Sequence, residues 1–109
     1  MLQTRNIPVC APVVGEREVE LLTECIRSSW ISSLGPFVRS FEERFAQFCG
    51  AGFGVTTNSG TTALHLALAA LGIGKGDEVL VPTFTMIASA NAVEYTGAKA
   101  ILVDADPVT

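Results

Sequence analysis

The stretch that decides the fold runs from Phe53 to Pro82 and reads FGVTTNSGTTALHLALAALGIGKGDEVLVP. Its first five residues, FGVTT, are a short strand candidate. GTTALHLALAALG has the apolar density of a helix, and EVLVP is a second strand. Gly74, Gly76 and Asp77 supply the turn between that helix and that strand. Downstream, MIASANAVEYTG reads as a second helix ended by Gly97, and AILVD as a third strand. The order is βαβαβ. Short apolar strands alternating with helices imply an α/β fold with a mostly parallel sheet, right-handed crossovers and flanking helices on its faces.

Upstream of residue 51 the pattern is helical. Residues 1–15 form an irregular, extended arm, because Pro8 and Pro12 each remove a backbone donor and fix the chain direction. From Glu16, Val19, Leu22, Cys25 and Ile26 recur at helical spacing, with acids near the helix start. SSWISSLGP breaks the pattern, and Pro36 suits the first position of a second helix. That helix places Phe37, Phe41, Phe45 and Phe48 on one face, a stripe expected to pack into a core. Trp30 is expected to be buried too, and Cys49 to pack at the helix end.

Composition narrows the function. A chain of 109 residues buries only roughly 65% of the surface it exposes unfolded. Yet 49% of its residues are hydrophobic, so something else is expected to cover part of that surface. A net charge of -4 with no basic run excludes the electrostatic footprint of a nucleic-acid binder. The N-terminus lacks the basic start and apolar core of a signal peptide, and Ala63 to Ile73 falls far short of the ~20 residues of a membrane span. The expectation is a cytoplasmic protein with neither nucleic acid nor membrane as partner. Cys10, Cys25 and Cys49 lack metal-ligand spacing and read as reduced thiols.

The cluster Asn58-Ser59-Gly60-Thr61-Thr62 has two readings. After the first strand of a βαβ unit, a helix points its unpaired N–H groups at the carboxyl edge of the sheet, where bonds and dipole favour an anion. Gly60 permits close backbone approach, and Ser59, Thr61 and Thr62 add hydroxyl donors. Equally, Asn58 or Ser59 can simply cap the helix. Neither a Walker pattern nor a dinucleotide GxGxxG is present. Asp104 and Asp106, in VDAD, have the form of a metal-binding DxD, but acids also commonly end strands. His65 reads as a packing residue. Thr83 and Thr85 lie where ligand contacts gather in open α/β sheets, or where the next helix is capped.

NSGTTALHLALAALGIGKGDEVLVPTFTMIASANAVEYTGAKAILVDADPVT, together with SSWISSLGPFVRSFEERFAQFCGA upstream, resembles the DegT/DnrJ/EryC1/StrS family of sugar aminotransferases over about residues 8–109. The resemblance implies the start of the large domain of an aspartate-aminotransferase-like fold of type I, with pyridoxal 5′-phosphate as cofactor. On it, residues 16–50 are two leading helices and 51–109 an incomplete cofactor-binding domain. The implied reaction carries an amino group from glutamate to a nucleotide-linked keto-sugar, in a homodimer whose subunits include a remainder beyond this chain. Ser59, Gly60, Thr61 and Thr62 would hold the cofactor phosphate. Met86 stands where the family usually has an aromatic residue on the pyridine ring, a face a thioether can also press. Ser29 stands where the family usually has glycine before the tryptophan.

No catalytic residue is expected within the chain. The lysine that binds the cofactor covalently and the acid that pairs with its ring nitrogen are both expected beyond residue 109. Lys75 and Lys99 fall at the opposite end of the sheet, so the chain alone is expected not to complete turnover. The related sugar dehydratases carry histidine in place of that lysine and remain an alternative, as does a non-catalytic phosphate-binding or interaction module.

Overall fold

The protein is represented by a computed structural model that describes Pro8 and residues 10–106. It divides into two compact units, residues 1–54 and 55–109. Of the expected arm, residues 1–7 and 9 lie outside the described residues, and Cys10 to Gly15 are exposed and without regular structure.

In the first unit, helix α1 spans Glu16–Arg27. Gly15 N–H donates to Glu18 Oε2 at 2.7 Å, and the first-turn acids complement the helix dipole. Val19, Leu22 and Ile26 stay exposed along one stripe. Beyond α1 the Ser28 hydroxyl donates to Glu24 O at 2.6 Å, and the chain reverses at Ser29, whose φ is 61°. A side chain in that left-handed region costs about 1–2 kcal/mol. The position where the resemblance leads one to expect glycine is therefore one whose backbone asks for it. Trp30 lies against Gly35 but is 50% exposed, contrary to the expected burial, because this unit closes over only one side of the ring.

Helix α2, Pro36–Cys49, opens on the expected proline. It ends at Gly50, with φ 67°, where Ala51 N–H turns back to Ala46 O at 2.9 Å. The returning segment 51–54 then lies along α2. A Cβ on Gly54 would sit 2.6 Å from Glu42 O. The packed face of α2 is consequently the one carrying half-buried Val38 and Glu42 and buried Ala46. Of the phenylalanine stripe Phe37 is half-buried, while Phe41, Phe45 and Phe48 point elsewhere. Phe41 and Phe45 stack at 5.4 Å and Phe45 and Phe48 at 6.3 Å, yet Phe48 is 86% exposed and Cys49 is exposed as well. Amphipathic spacing signals apolar demand, and among the described residues of this unit that demand is met in part at Phe37 and left open at the other three phenylalanines.

In the second unit the elements are α3 (Gly60–Ala70), β1 (Glu78–Pro82), α4 (Ile87–Tyr95) and β2 (Lys99–Val103). Strands β1 and β2 pair in parallel, from Glu78 opposite Lys99 to Pro82 opposite Val103, with α4 as the crossover. α3 is closed by Gly72, at φ 77°, with Ile73 N–H donating to Leu68 O at 3.0 Å. The Gly74–Asp77 turn follows as expected: Asp77 N–H donates to Gly74 O at 3.0 Å, and the Asp77 carboxylate accepts from Gly74 N–H at 2.9 Å. The core is Val81, Val93 and Ala98, with Leu68, Ile73, Val79, Ala90 and Ala100 packed around them. It fills one face of the sheet; Leu80, pointing the other way, is 70% exposed.

The fold class is α/β with a parallel sheet, but among the described residues the sheet has two strands rather than three. FGVTT is not a strand: Phe53 is 94% exposed and the segment enters no ladder. A strand exists only by pairing along its length, and no described segment pairs with residues 53–57. The outward edge of β2 is partly closed as well. Lys99 and Val103 turn their peptide groups towards β1, so Ala100 N–H faces away, and it is taken by Glu94 Oε1 at 3.2 Å.

Replacing Ser29 by glycine relieves the left-handed backbone and should raise stability by about 1 kcal/mol, read from urea unfolding followed by Trp30 fluorescence. Gly54→Ala drives a Cβ into the Glu42 carbonyl and should cost on the order of 1–3 kcal/mol by the same measurement. Gly52→Ala, whose Cβ meets nothing within 4 Å, is its control and should be near neutral.

Candidate functional site

The start of α3 is built by its own side chains. Ser59 is extended (φ -161°, ψ 162°), and its hydroxyl accepts from Thr62 N–H at 3.3 Å. Reciprocally, Ser59 N–H donates to Thr62 Oγ1 at 3.2 Å, a capping box closed by threonine where glutamate or glutamine is usual. The Thr62 hydroxyl lies 2.8 Å from both Asn58 Oδ1 and Ser59 O, and Thr57 Oγ1 donates to Ser59 O at 3.0 Å. Ala63 N–H, bonding Ser59 O at 3.0 Å, begins the helical ladder.

Two donors are left over. The N–H groups of Gly60 and Thr61 precede the first intrahelical bond and meet no acceptor among the described residues. A Cβ built on Gly60 meets nothing within 4 Å, so the space in front of this turn is open to an incoming group. No acid lies between Thr56 and Leu71 to oppose a negative charge. Free amides, hydroxyls and the positive end of a helix dipole make a donor set that suits a phosphate. Capping and anion binding therefore coexist, since they use different N–H groups of one turn.

Topology sets where this turn faces. α3 and α4 both lead directly into the amino ends of strands, so both helices start at the carboxyl edge of the sheet. They pack against each other, with His65 meeting the Tyr95 ring edge-on at 5.8 Å, the packing role expected of that histidine. Met86 occupies the N-cap position of α4 and is 75% exposed at the same edge. Ser59 to Thr62 thus form one contiguous turn, while Met86 belongs to the neighbouring connection.

That connection, Thr83 to Met86, is fastened at both ends. Thr83 N–H donates to Val103 O at 2.8 Å, extending the ladder past Pro82, and Thr83 Oγ1 donates to Asp104 Oδ1 at 3.3 Å. The same carboxylate oxygen accepts from Ala105 N–H at 3.0 Å. Thr85 and Ser89 hydroxyls lie 3.1 Å apart, and Ser89 N–H donates to Met86 O at 3.0 Å. Asp104 thus acts as a strand-end acceptor, and no group of three or more potential ligands stands together to hold a metal among the described residues. The Asp104–Thr83 clasp joins residues far apart in sequence, and no local pattern announces it.

Lys75 and Lys99 lie at the other edge. Lys99 Nζ pairs with Glu78 Oε1 at 3.2 Å where both strands begin, and Lys75 sits beside Gly97 in the turns that feed them. Both members of the ion pair are exposed, so its contribution is small. Among the described residues no helix is long and apolar enough to cross a membrane.

The DegT/DnrJ/EryC1/StrS aminotransferase family matches residues 12–109. A GDP-perosamine synthase of Caulobacter vibrioides is 53% identical over 104 residues, covering 95% of this chain and 28% of that protein. A Streptococcus pneumoniae protein described as a sugar aminotransferase, solved in its PLP form, superposes with a TM-score of 0.84 at 36% identity, over 96% of this chain and 26% of its own. A GDP-4-keto-6-deoxymannose-3-dehydratase superposes with a TM-score of 0.76 at 27% identity, over 93% of this chain and 28% of its own. The chain therefore spans little more than a quarter of the length of these relatives.

Ser59→Ala removes the side-chain acceptor of the cap and should cost about 1 kcal/mol, whereas Ser59→Gly should cost only a few tenths. Hydrogen exchange at the Thr62 and Ala63 amides, with urea unfolding followed by circular dichroism, measures both.

Proposed function

The chain belongs to the DegT/DnrJ/EryC1/StrS aminotransferase family, and from that premise we propose that it supplies the phosphate-binding end of a pyridoxal 5′-phosphate site in a sugar aminotransferase. The proposed reaction moves an amino group from glutamate to a nucleotide-linked keto-sugar. The observation that carries this reading is the 53% identity to a GDP-perosamine synthase over nearly the whole chain. In this reading residues 51–109 begin the cofactor-binding domain, residues 16–50 are its leading helices and residues 1–15 an arm. Assembly as a cytoplasmic homodimer with the remainder of each subunit belongs to the same proposal.

Bound, the cofactor supplies an electron sink and a carbon that carries the amino group between donor and acceptor. The residues of this chain hold and orient it. Gly60 and Thr61 N–H groups and the Ser59 and Thr61 hydroxyls receive the phosphate, with Thr62 fixing the turn. Met86 presses its thioether on the ring face, a contact worth ~0.3–1.5 kcal/mol. Neither Lys75 nor Lys99 reaches that edge of the sheet, so the chain alone holds one end of the cofactor and completes no turnover. A sugar dehydratase is the second reading, favoured by the superposition on a keto-deoxymannose dehydratase at 27% identity. The higher identity to the synthase puts it second.

Titration with pyridoxine 5′-phosphate, which has no aldehyde to react with surface lysines, tests the site. Amide resonances of Gly60, Thr61 and Thr62 should shift, and pyridoxine without phosphate should leave them in place. Gly60→Ala, whose Cβ meets no neighbour in the chain, should keep the fold and weaken binding by roughly tenfold as its methyl enters the phosphate space. Equal shifts with both compounds would overturn the phosphate site. With pyridoxal 5′-phosphate and glutamate, release of 2-oxoglutarate by this chain alone would overturn the division of labour.

A further inference from the structure

We propose that Asp104 is a positioning residue for the cofactor ring: through Thr83 it fixes the direction in which the β1–α4 connection presents Met86. The inference rests on the proposed cofactor site, and goes beyond it to a residue that touches no ligand. Met86 is exposed and makes no capping bond with its side chain, so its direction is set by the backbone on either side of it. Downstream that backbone is held by α4 itself, through Ser89 N–H to Met86 O and the Thr85–Ser89 hydroxyl pair. Upstream the hold comes from the end of β2. Thr83 N–H reaches Val103 O, and Thr83 Oγ1 reaches Asp104 Oδ1.

Asp104 is itself fixed, since the oxygen that receives Thr83 also accepts Ala105 N–H at 3.0 Å. One carboxylate oxygen therefore ties the connection after β1 to the chain leaving β2. The peptide nitrogen of Pro82 lies on the side of β1 turned away from β2, so beyond Val81 the connection is held to β2 by the backbone bond at Thr83 and by the side-chain clasp. Phe84, Met86 and Ile87 are all exposed apolar groups in or beside this connection, and loosening it lets any of them compete for an apolar ligand face.

The test uses the full chain labelled with 13C at the methionine methyls. The chain has two methionines, Met1 and Met86, and loss of one resonance in Met86→Leu assigns the other. On adding pyridoxine 5′-phosphate, the Met86 methyl should move upfield under the ring. In Asp104→Ala and in Thr83→Val, the upfield movement should fall by at least half and affinity for pyridoxine 5′-phosphate by roughly two- to tenfold. Affinity for inorganic phosphate and the Gly60–Thr62 shifts it produces should be unchanged. Asp104→Asn, which keeps the accepting oxygen, should restore the wild-type movement, a rescue that general loss of stability would not give.

Full Met86 movement in Asp104→Ala and Thr83→Val overturns the positioning role while leaving the cofactor site standing. Loss of the Gly60–Thr62 shifts along with the Met86 movement in these variants also overturns it, assigning Asp104 to folding. Absence of both signals in the wild-type chain overturns the cofactor site and this role together.

Discussion

Parallel pairing of β1 and β2 is the constraint on which the rest of the second unit depends. Two strands that run the same way cannot be joined by a tight turn, so the chain must return along the sheet between them, and α4 is that return. Its inner face, with Ala92 and Val93 almost wholly buried, is fixed by the requirement to cover Val79, Val81 and Ala100. α3, packed beside α4 and feeding β1 through the Gly74–Asp77 turn, inherits the same direction. Both helix starts consequently gather at the carboxyl edge, and every lysine of the chain is left at the amino edge. The site is positioned by strand direction before any of its own residues act.

What was legible in the sequence was local. Pro36 opening α2, Gly97 ending α4 and the Gly74–Asp77 turn each follow from the covalent geometry of one or two residues, and the structure places them as read. What was not legible depended on neighbours. FGVTT has the composition of a strand, but a ladder needs a second chain segment whose position its own residues do not encode. The phenylalanine spacing on α2 correctly identified a helix and an apolar face. Whether the face is covered is decided by the segment 51–54, which returns along the opposite side to bury Ala46 instead. Ser29 lies between these cases: the sequence marked it as unusual, and its φ of 61° supplies the reason.

The same division runs through the site. Ser59 to Thr62 could be found because a capping box and an anion-binding turn both have short sequence signatures. The Asp104–Thr83 clasp could not, because it closes across the crossover helix and appears only once β1 and β2 lie in register. Asp104 attracted notice for a metal motif and turns out to be engaged in holding a strand end. An acid whose oxygen already receives a hydroxyl and an amide is poorly placed to give it to a cation.

The capping reading and the phosphate reading of NSGTT looked like alternatives because each assigns the same residues. The structure separates them by donor: Thr62 and Ala63 N–H groups serve the helix, while those of Gly60 and Thr61 stay open. The identity of residue 62 then becomes explicable. A glutamate there would close the capping box at least as well as threonine, a difference within about 1 kcal/mol. Its carboxylate would also stand close to a phosphate seated on the free amides in the proposed site. For a dianion at a separation of ~5 Å, Coulomb repulsion is on the order of 2–6 kcal/mol between the water-like and protein-surface limits. The repulsion outweighs the capping gain, so under the proposed phosphate role a turn that would both start a helix and receive a phosphate does best with a neutral hydroxyl at position 62, and Thr62 is that residue.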